Sequence, residues 1–187
     1  MLERDRHLPF PLPGGGRARA GIGAPPLLLE SFDAKLSTPF AVLGIHTAGE
    51  MLTGIEYLPR FVATLAPTTK FAAKVCRQID RYLDDPDCRF DLPFEFCGTA
   101  FQNRVWRAIC AIPGGKTLTY LDIARQLNSA PRPVGGACGA NRIPLVIPCH
   151  RVVASGGIGG FMNARRGAPL EIKKWLLRHE NAAANRA

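Results

Sequence analysis

Residues 119–140 read TYLDIARQLNSAPRPVGGACGA, and two helices across a tight turn are written into them. Thr119 stands three positions before Asp122, the spacing of a capping box with aspartate in place of glutamate. Leu121, Ile123, Ala124 and Leu127 supply the buried face of the helix it opens. Asn128-Ser129-Ala130-Pro131 is a turn, and Pro133 suits the first position of the next helix. The pair predicts a helix-turn-helix. Its second helix is nearly bare, because Gly135, Gly136 and Gly139 each cost about 1 kcal/mol relative to alanine inside a helix. Two arrangements justify that cost. Either the helix packs tightly on a neighbour, or its backbone enters a groove too narrow for bulky side chains, as the minor groove of DNA is. In the second case Arg132, just ahead of the glycines, is available to probe between bases.

Upstream, Phe101, Val105, Trp106, Ile109 and Ile112 repeat at helical spacing from Thr99 or Ala100 until Pro113-Gly114-Gly115 stops the pattern. Before a boundary at Gly98-Thr99, residues 40–45 and 51–58 read as strands joined by a turn around residues 47–50. A helix follows on Phe71, Ala72, Val75, Cys76, Ile79, Tyr82 and Leu83, and residues 90–96 read as a third strand. Downstream, an amphipathic helix turns Leu170, Ile172, Trp175 and Leu176 inward and Lys173, Lys174 and Arg178 outward, with His179 and Glu180 at its end. The proline- and glycine-rich residues 1–30 show no period and read as a flexible tail. The expected class is α+β: a small sheet-bearing α/β domain over residues 31–97, a mostly helical domain with the helix-turn-helix over residues 98–182, and a short tail over residues 183–187.

The composition, 47% hydrophobic and 21% charged over 187 residues, excludes a wholly disordered chain. No apolar run is long enough to span a bilayer or to form a signal-peptide core, which predicts a soluble cytoplasmic protein with no membrane partner. The six cysteines form no CxxC pair and no histidine cluster completes a zinc pattern, so reduced thiols and no metal or other cofactor are expected. The net charge of +9 is unevenly placed. Residues 1–97 hold 11 Lys/Arg against 12 Asp/Glu, whereas residues 98–187 hold 13 against 3. Such a basic half suits a polyanion, since each phosphate neutralised releases condensed counterions, although a merely solvated face has the same composition.

The chemistry centres on residues 143–153, IPLVIPCHRVV. A stiff apolar segment delivers Cys149 next to His150 and Arg151, a field that favours thiolate, and the thiolate is the nucleophile. Adjacent residues need not face one another, so the pair alone does not establish a site. Glycines at 156, 157, 159 and 160 supply an adaptable loop that lets backbone approach a planar ligand. Glu180 either orients His150 in its proton-accepting tautomer or is a solvated helix-end residue.

Together these residues carry a resemblance. Ile147-Pro148-Cys149-His150-Arg151-Val152 resembles the active-site motif of the O6-alkylguanine-DNA alkyltransferases. The likeness extends to Asn141, to Phe101-Gln102 with Val105-Trp106, to Tyr120, to Arg132 with Val134-Gly135-Gly136, and to Trp175-Leu176-Leu177 with His179-Glu180. It covers residues 98–180 closely and residues 32–97 weakly. The resemblance implies a ribonuclease-H-like first domain and a winged-helix-like second one. It implies irreversible, stoichiometric transfer of an alkyl group from O6-alkylguanine, and from O4-alkylthymine, in double-stranded DNA to Cys149, with no obligate protein partner and a monomeric state. His150 would take the thiol proton through a water, Glu180 would orient His150, and Asn141 would brace the turn. Tyr120 would help rotate the nucleotide out and supply a proton toward the leaving ring, while Arg132 would fill the vacated stack. Gly135, Gly136, Ala137, Gly139 and Arg151 would join Tyr120 and Arg132 on the DNA. Pro148, Val152, Gly160 and Phe161 would line the pocket, with backbone groups of Cys149 and Val152 recognising the flipped base. The chain departs from the family's pattern at Arg142, where proline is usual, at Pro133, where a small helix former is more usual, at Phe161, where some members have tyrosine, and over residues 162–169, a segment longer than in some relatives.

Two other classes fit parts of the sequence. A non-enzymatic lesion-binding relative would carry tryptophan at position 149, where the thiol stands. A helix-turn-helix regulator would offer Arg, Asn or Gln to base edges in the major groove, and the Gly/Ala helix offers almost none.

Overall fold

The structure, a computed structural model, describes residues 31–184, so the expected tail over residues 1–30 lies outside it, as do the last three residues. Strands β1 (Ala34–Ser37), β2 (Val42–Ala48) and β3 (Met51–Leu58) form an antiparallel meander in that order. β3 lies where its alternation places it, and β2 reaches Ala48, leaving Gly49-Glu50 as the turn. β1 is too short to show a period of its own and forms by pairing with β2, from Ala34 opposite Ile45 to Ser37 opposite Val42.

Helix α1 (Lys70–Asp84) covers one face of the sheet. Thr69 caps it, accepting from the Ala72 amide at 3.0 Å, and Phe71, Val75, Ile79 and Tyr82 turn toward Leu43, Ile45 and Leu52. Residues 90–96 are not a strand. Pro93 has no amide to donate, and only the Leu52 amide binds its carbonyl, at 2.9 Å. The segment instead lays Phe94 on Phe96 and Phe96 on Trp106, with centroids 5.3 and 6.4 Å apart, linking the two halves by aromatic packing.

Helix α2 (Ala100–Cys110) opens on a capping box between Thr99 and Gln102 and stops just short of Ile112, which is buried nonetheless. Strand β4 (Leu118–Thr119) leads into α3 (Tyr120–Gln126), whose Thr119–Asp122 capping box is formed as the spacing predicts. Asn128, at φ 50°, takes the left-handed position that ends α3. Helix α4 (Pro131–Gly139) begins two residues before the expected Pro133. Its first amides have no intrahelical acceptor, so prolines at its first and third positions sacrifice nothing, and Ala130 caps it without a side chain. The Trp106 indole donates to the Ala137 carbonyl at 2.9 Å, fixing α4 against α2. A 3₁₀ turn (Cys149–Arg151) runs into β5 (Val152–Val153), which pairs in parallel with β4, and α5 (Ala168–Ala184) closes the fold. The expected C-terminal tail over residues 183–187 is therefore helical in its first two residues. No helix among the described residues is long and apolar enough to cross a membrane.

Candidate active site

Asn141 holds the cysteine-bearing turn from three directions. Its Oδ1 accepts from the Ile143 amide at 3.0 Å, and its Nδ2 donates to the Ile147 carbonyl at 2.8 Å and to Cys149 Sγ at 3.2 Å. Leu145, buried within this turn, sits at φ 73°, a left-handed conformation that costs a branched residue about 1 kcal/mol or more. Cys149 is only 6% exposed, yet it forms part of the wall of a cleft of about 840 Å³ and of a second one of about 440 Å³.

His150 Nε2 lies 2.7 Å from Glu180 Oε1, both side chains being about 1% exposed. Glu180 is thus a buried acceptor and not a solvated helix-end residue. The ionised carboxylate can only accept, so Nε2 carries the proton and Nδ1 keeps its lone pair. Nδ1 is buried and has no hydrogen-bond partner among the described residues. Burial pushes the His150 imidazole below its ordinary value, against the raising effect of Glu180, so the ring is neutral at rest. For Glu180, burial works upward, but the hydrogen bonds and charges of His150 and Arg151 hold the carboxyl well below the usual carboxylate range.

Two partners of Glu180 escape a reading of the sequence. Tyr82, on α1 and 98 positions away, donates its hydroxyl to Oε1 at 2.9 Å. Arg151, expected on the DNA, points inward: its Nη2 lies 2.9 Å from Oε1, its Nε 3.0 Å from Oε2, and its Nη1 2.6 Å from the Ile112 carbonyl. With the guanidinium engaged there, the field expected to favour thiolate does not prevail. Burial raises the Cys149 thiol, and the Asn141 hydrogen bond and the Lys173 charge only oppose that.

Lys173 corrects a second expectation. Assigned to the outer face of α5, it is wholly buried, its ammonium bonded to the Val152 and Gly160 carbonyls at 2.6 and 2.9 Å. Burial brings it down to about 8, against the raising effect of Cys149 and Cys138. Tyr120 donates to the Gly160 carbonyl at 3.1 Å, and burial first, then Cys138 and Cys149, pushes its hydroxyl up to about 12, so it stays protonated at neutral pH. A Cβ on Gly159 would lie 2.8 Å from the Tyr120 ring, and φ there is +71°, so glycine is required for this contact.

The larger cleft brings together Tyr120, Arg132, Gly135, Gly136, Gly139, Cys149, Gly160 and Phe161 of the expected residues. Arg132 is exposed in the first turn of α4. The bare face of α4 has two explanations along its length. Nothing lies within 4 Å of a Cβ on Gly136, and only the Tyr120 ring reaches 4.0 Å from one on Gly135, so this stretch is open to a ligand. At Gly139 a Cβ would overlap the Asn163 side chain, which donates to the Gly139 carbonyl at 3.2 Å, so there the glycine serves packing. Ala137 is buried against Trp106 and cannot touch DNA. Pro148 and Val152 are buried behind the cleft and do not line it, and the Val152 carbonyl is already bound by Lys173.

Residues 100–182 match the protein family described as 6-O-methylguanine DNA methyltransferase, DNA binding domain. A methylated-DNA–protein-cysteine methyltransferase of Mycobacterium tuberculosis is 44% identical over 150 residues, which cover 74% of this chain and 90% of that protein. The inducible methylated-DNA–protein-cysteine methyltransferase of Bacillus subtilis is 42% identical over 110 residues, or 58% of this chain. There the match spans 59% of the relative, less than two thirds of its length. The crystal structure of Mycobacterium tuberculosis OGT in complex with DNA superposes with a TM-score of 0.67 at 33% identity, covering 80% of this chain and 92% of that one.

Proposed function

The chain belongs to the methylated-DNA–protein-cysteine methyltransferase family, and from that premise we propose that it repairs DNA by moving the alkyl group of O6-alkylguanine, or of O4-alkylthymine, irreversibly onto Cys149. The observation that carries the reading is the His150–Glu180 pair at 2.7 Å, with His150 Nδ1 left unpartnered beside the residue that bears the thiol. In the reaction the Cys149 S–H proton passes to His150 Nδ1, directly or through a water. The sulfur forms a bond to the alkyl carbon as the bond from that carbon to O6 breaks. The electron pair goes to the guanine ring, which takes up a proton from the Tyr120 side. Glu180 stabilises the imidazolium that forms.

A resting thiol and a resting neutral imidazole suit this sequence of events, because the charge pair arises only when the substrate is in place. The product is a thioether, too stable to hydrolyse, so one molecule acts once. An alkyl carbon within a duplex is out of reach, and extruding its nucleotide costs roughly a few kcal/mol. Arg132 entering the stack and the open backbone at Gly135 and Gly136 in the minor groove offset that cost. The finer fold assignment, ribonuclease-H-like and then winged-helix-like, belongs to the same proposal, supported by the helix-backed antiparallel sheet and by the α3–α4 pair.

Intact-mass spectrometry tests the reading. After incubation with duplex DNA carrying O6-methylguanine, one methyl mass is expected on Cys149 and none on Cys149→Ala. Repeated turnover by one protein molecule would overturn the sacrificial mechanism.

A further inference from the structure

The segment that follows the cleft has a rigid root and an exposed tip. At the root, Phe161 is 5% exposed and packs at a tilt with its centroid 5.8 Å from that of the Tyr57 ring, and the preceding Gly160 carbonyl is held by Lys173. Phe161 and Ala164 then exchange both backbone hydrogen bonds, each 2.9 Å long. Between them Met162 and Asn163 stand at φ 51° and 58°, the two left-handed residues of a tight hairpin turn. Asparagine tolerates that conformation, but methionine has no local reason to adopt it. The strain persists because the turn is tied down on both sides, to α4 through Asn163 and the Gly139 carbonyl and to the core through Phe161.

What the strained turn presents is specific. Met162 is 40% exposed, an apolar tip held in solvent. Arg165 and Arg166 follow it, both exposed, and Arg165 lines the Cys149 cleft together with Arg132. An apolar tip flanked by cations at the mouth of a cleft matches what a duplex offers, sugar and base edges bordered by phosphates. The partner is fixed by position: Met162 lines both clefts that reach Cys149 and Arg165 lines the larger, so DNA that brings a nucleotide to Cys149 meets this turn.

We infer that residues 161–166 form a second DNA-gripping lip, in which Met162 packs on the sugar and base edge at the cleft and Arg165 and Arg166 each neutralise a phosphate. The lip rests on the function proposed above and adds to it an element anchored on the C-terminal end of α4. It gives the longer segment over residues 162–169 a task.

The test measures equilibrium binding of the full chain, carrying Cys149→Ala to prevent transfer, to a labelled duplex with one O6-methylguanine between 50 and 200 mM salt. Each lost phosphate contact makes the plot of log affinity against log salt shallower by about 0.9. Arg165→Ala with Arg166→Ala should therefore flatten the slope by about 1.8, removing roughly twelvefold of the affinity change over that range. Arg165→Lys with Arg166→Lys should keep the parent slope, since the charge is kept. Met162→Ala should weaken binding at every salt concentration without changing the slope. Melting temperatures of all variants, recorded alongside, should match the parent. A parental slope in the alanine variant, or a lysine variant as shallow as the alanine one, overturns the lip. Failure of the Cys149→Ala parent itself to bind the duplex would instead overturn the proposed function.

Discussion

Replacing Glu180 with glutamine keeps the shape of the side chain and removes its charge, in a place where four residues donate to the carboxylate. Oε1 accepts from His150, Tyr82 and Arg151, and Oε2 accepts from Arg151 and, at 3.3 Å, from the Gly115 amide. An amide offers one acceptor where the carboxylate offered two, and turns an N–H₂ toward groups that are themselves donors. Breaking a buried ion pair from one side costs about 3–5 kcal/mol. The Arg151 side chain is 14% exposed and keeps its bond to the Ile112 carbonyl, which argues for the lower end, about 3 kcal/mol. For a fold of this size that corresponds to a melting temperature lower by about 6–12 °C.

The rate should fall further than the stability suggests. Glutamine can still orient the ring but cannot stabilise the imidazolium, and positioned general bases contribute about a hundred- to ten-thousandfold. A single-turnover assay with methyl-labelled duplex, at a temperature where both proteins are folded, measures this loss directly. The pH profile supplies a second signature. Burial holds His150 below 6.5 and Glu180 pulls the other way, so the unaltered protein should lose rate only as pH falls below 6.5. Without Glu180 that limb should move further toward acid while the plateau drops. A variant that retains a tenth or more of the rate with an unmoved limb would refute the relay.

Tyr82→Phe removes one hydrogen bond to the buried carboxylate and should cost about 2 kcal/mol in urea unfolding. It also leaves Oε1 more basic, so the acid limb of the rate profile should move to higher pH, opposite to Glu180→Gln, and an unmoved limb would reduce Tyr82 to packing. Gly136→Ala meets nothing within 4 Å and should stabilise α4 by about 0.5–1 kcal/mol while weakening DNA binding, a pairing that thermal melts and binding titrations read together. Gly139→Ala must displace Asn163, so it should gain no such stability. Because the Glu180 carboxyl is held below its unfolded-chain value of about 4.3, its contribution is complete above that pH and is lost as pH falls toward the folded value. The gap in stability between the unaltered protein and Glu180→Gln should accordingly narrow below about pH 4.3 in chemical denaturation.

Local signals were legible in the sequence and long-range ones were not. The Thr119–Asp122 box, the apolar steps of α1 and the alternation of β3 depend on neighbours within a few residues, and each is where its pattern places it. β1 is real only through its partner strand, and residues 90–96 have strand-like side chains on a backbone interrupted by Pro93. The site divides the same way. Cys149, His150, Asn141 and Glu180 were marked by a motif, but Tyr82 reaches Glu180 from 98 positions away with no local trace. Arg151 beside a cysteine suggested a field on the sulfur, and only its pairing with Glu180 shows that the charge is used elsewhere. Lys173 adjoins the buried Ile172 on α5, and its long stem carries the ammonium inward to two carbonyls instead of outward to water.

These long-range contacts tie the sheet and α1 to the candidate site. The Ile55 amide on β3 donates to the Arg142 carbonyl at 2.9 Å, next to the asparagine that braces Cys149. The proline that the family resemblance leads one to expect at position 142 would leave that carbonyl just as able to accept. What the departure changes is an exposed side chain and not the join. From the other side α1 supplies Tyr82 to the carboxylate that orients His150, and the His179 ring reaches back to the Tyr82 carbonyl at 2.8 Å. The turn that carries Cys149 is therefore held by Asn141 and, through the Arg142 carbonyl, by β3, while Glu180, which bonds His150, is held by Arg151 and by Tyr82 on α1. In the proposed transfer the thiol reacts once and any wrong encounter would spend it, so it is better kept neutral and buried until a lesion arrives. Keeping it so calls for thiol and base to be placed by rigid elements, and β3 and α1 supply one to each.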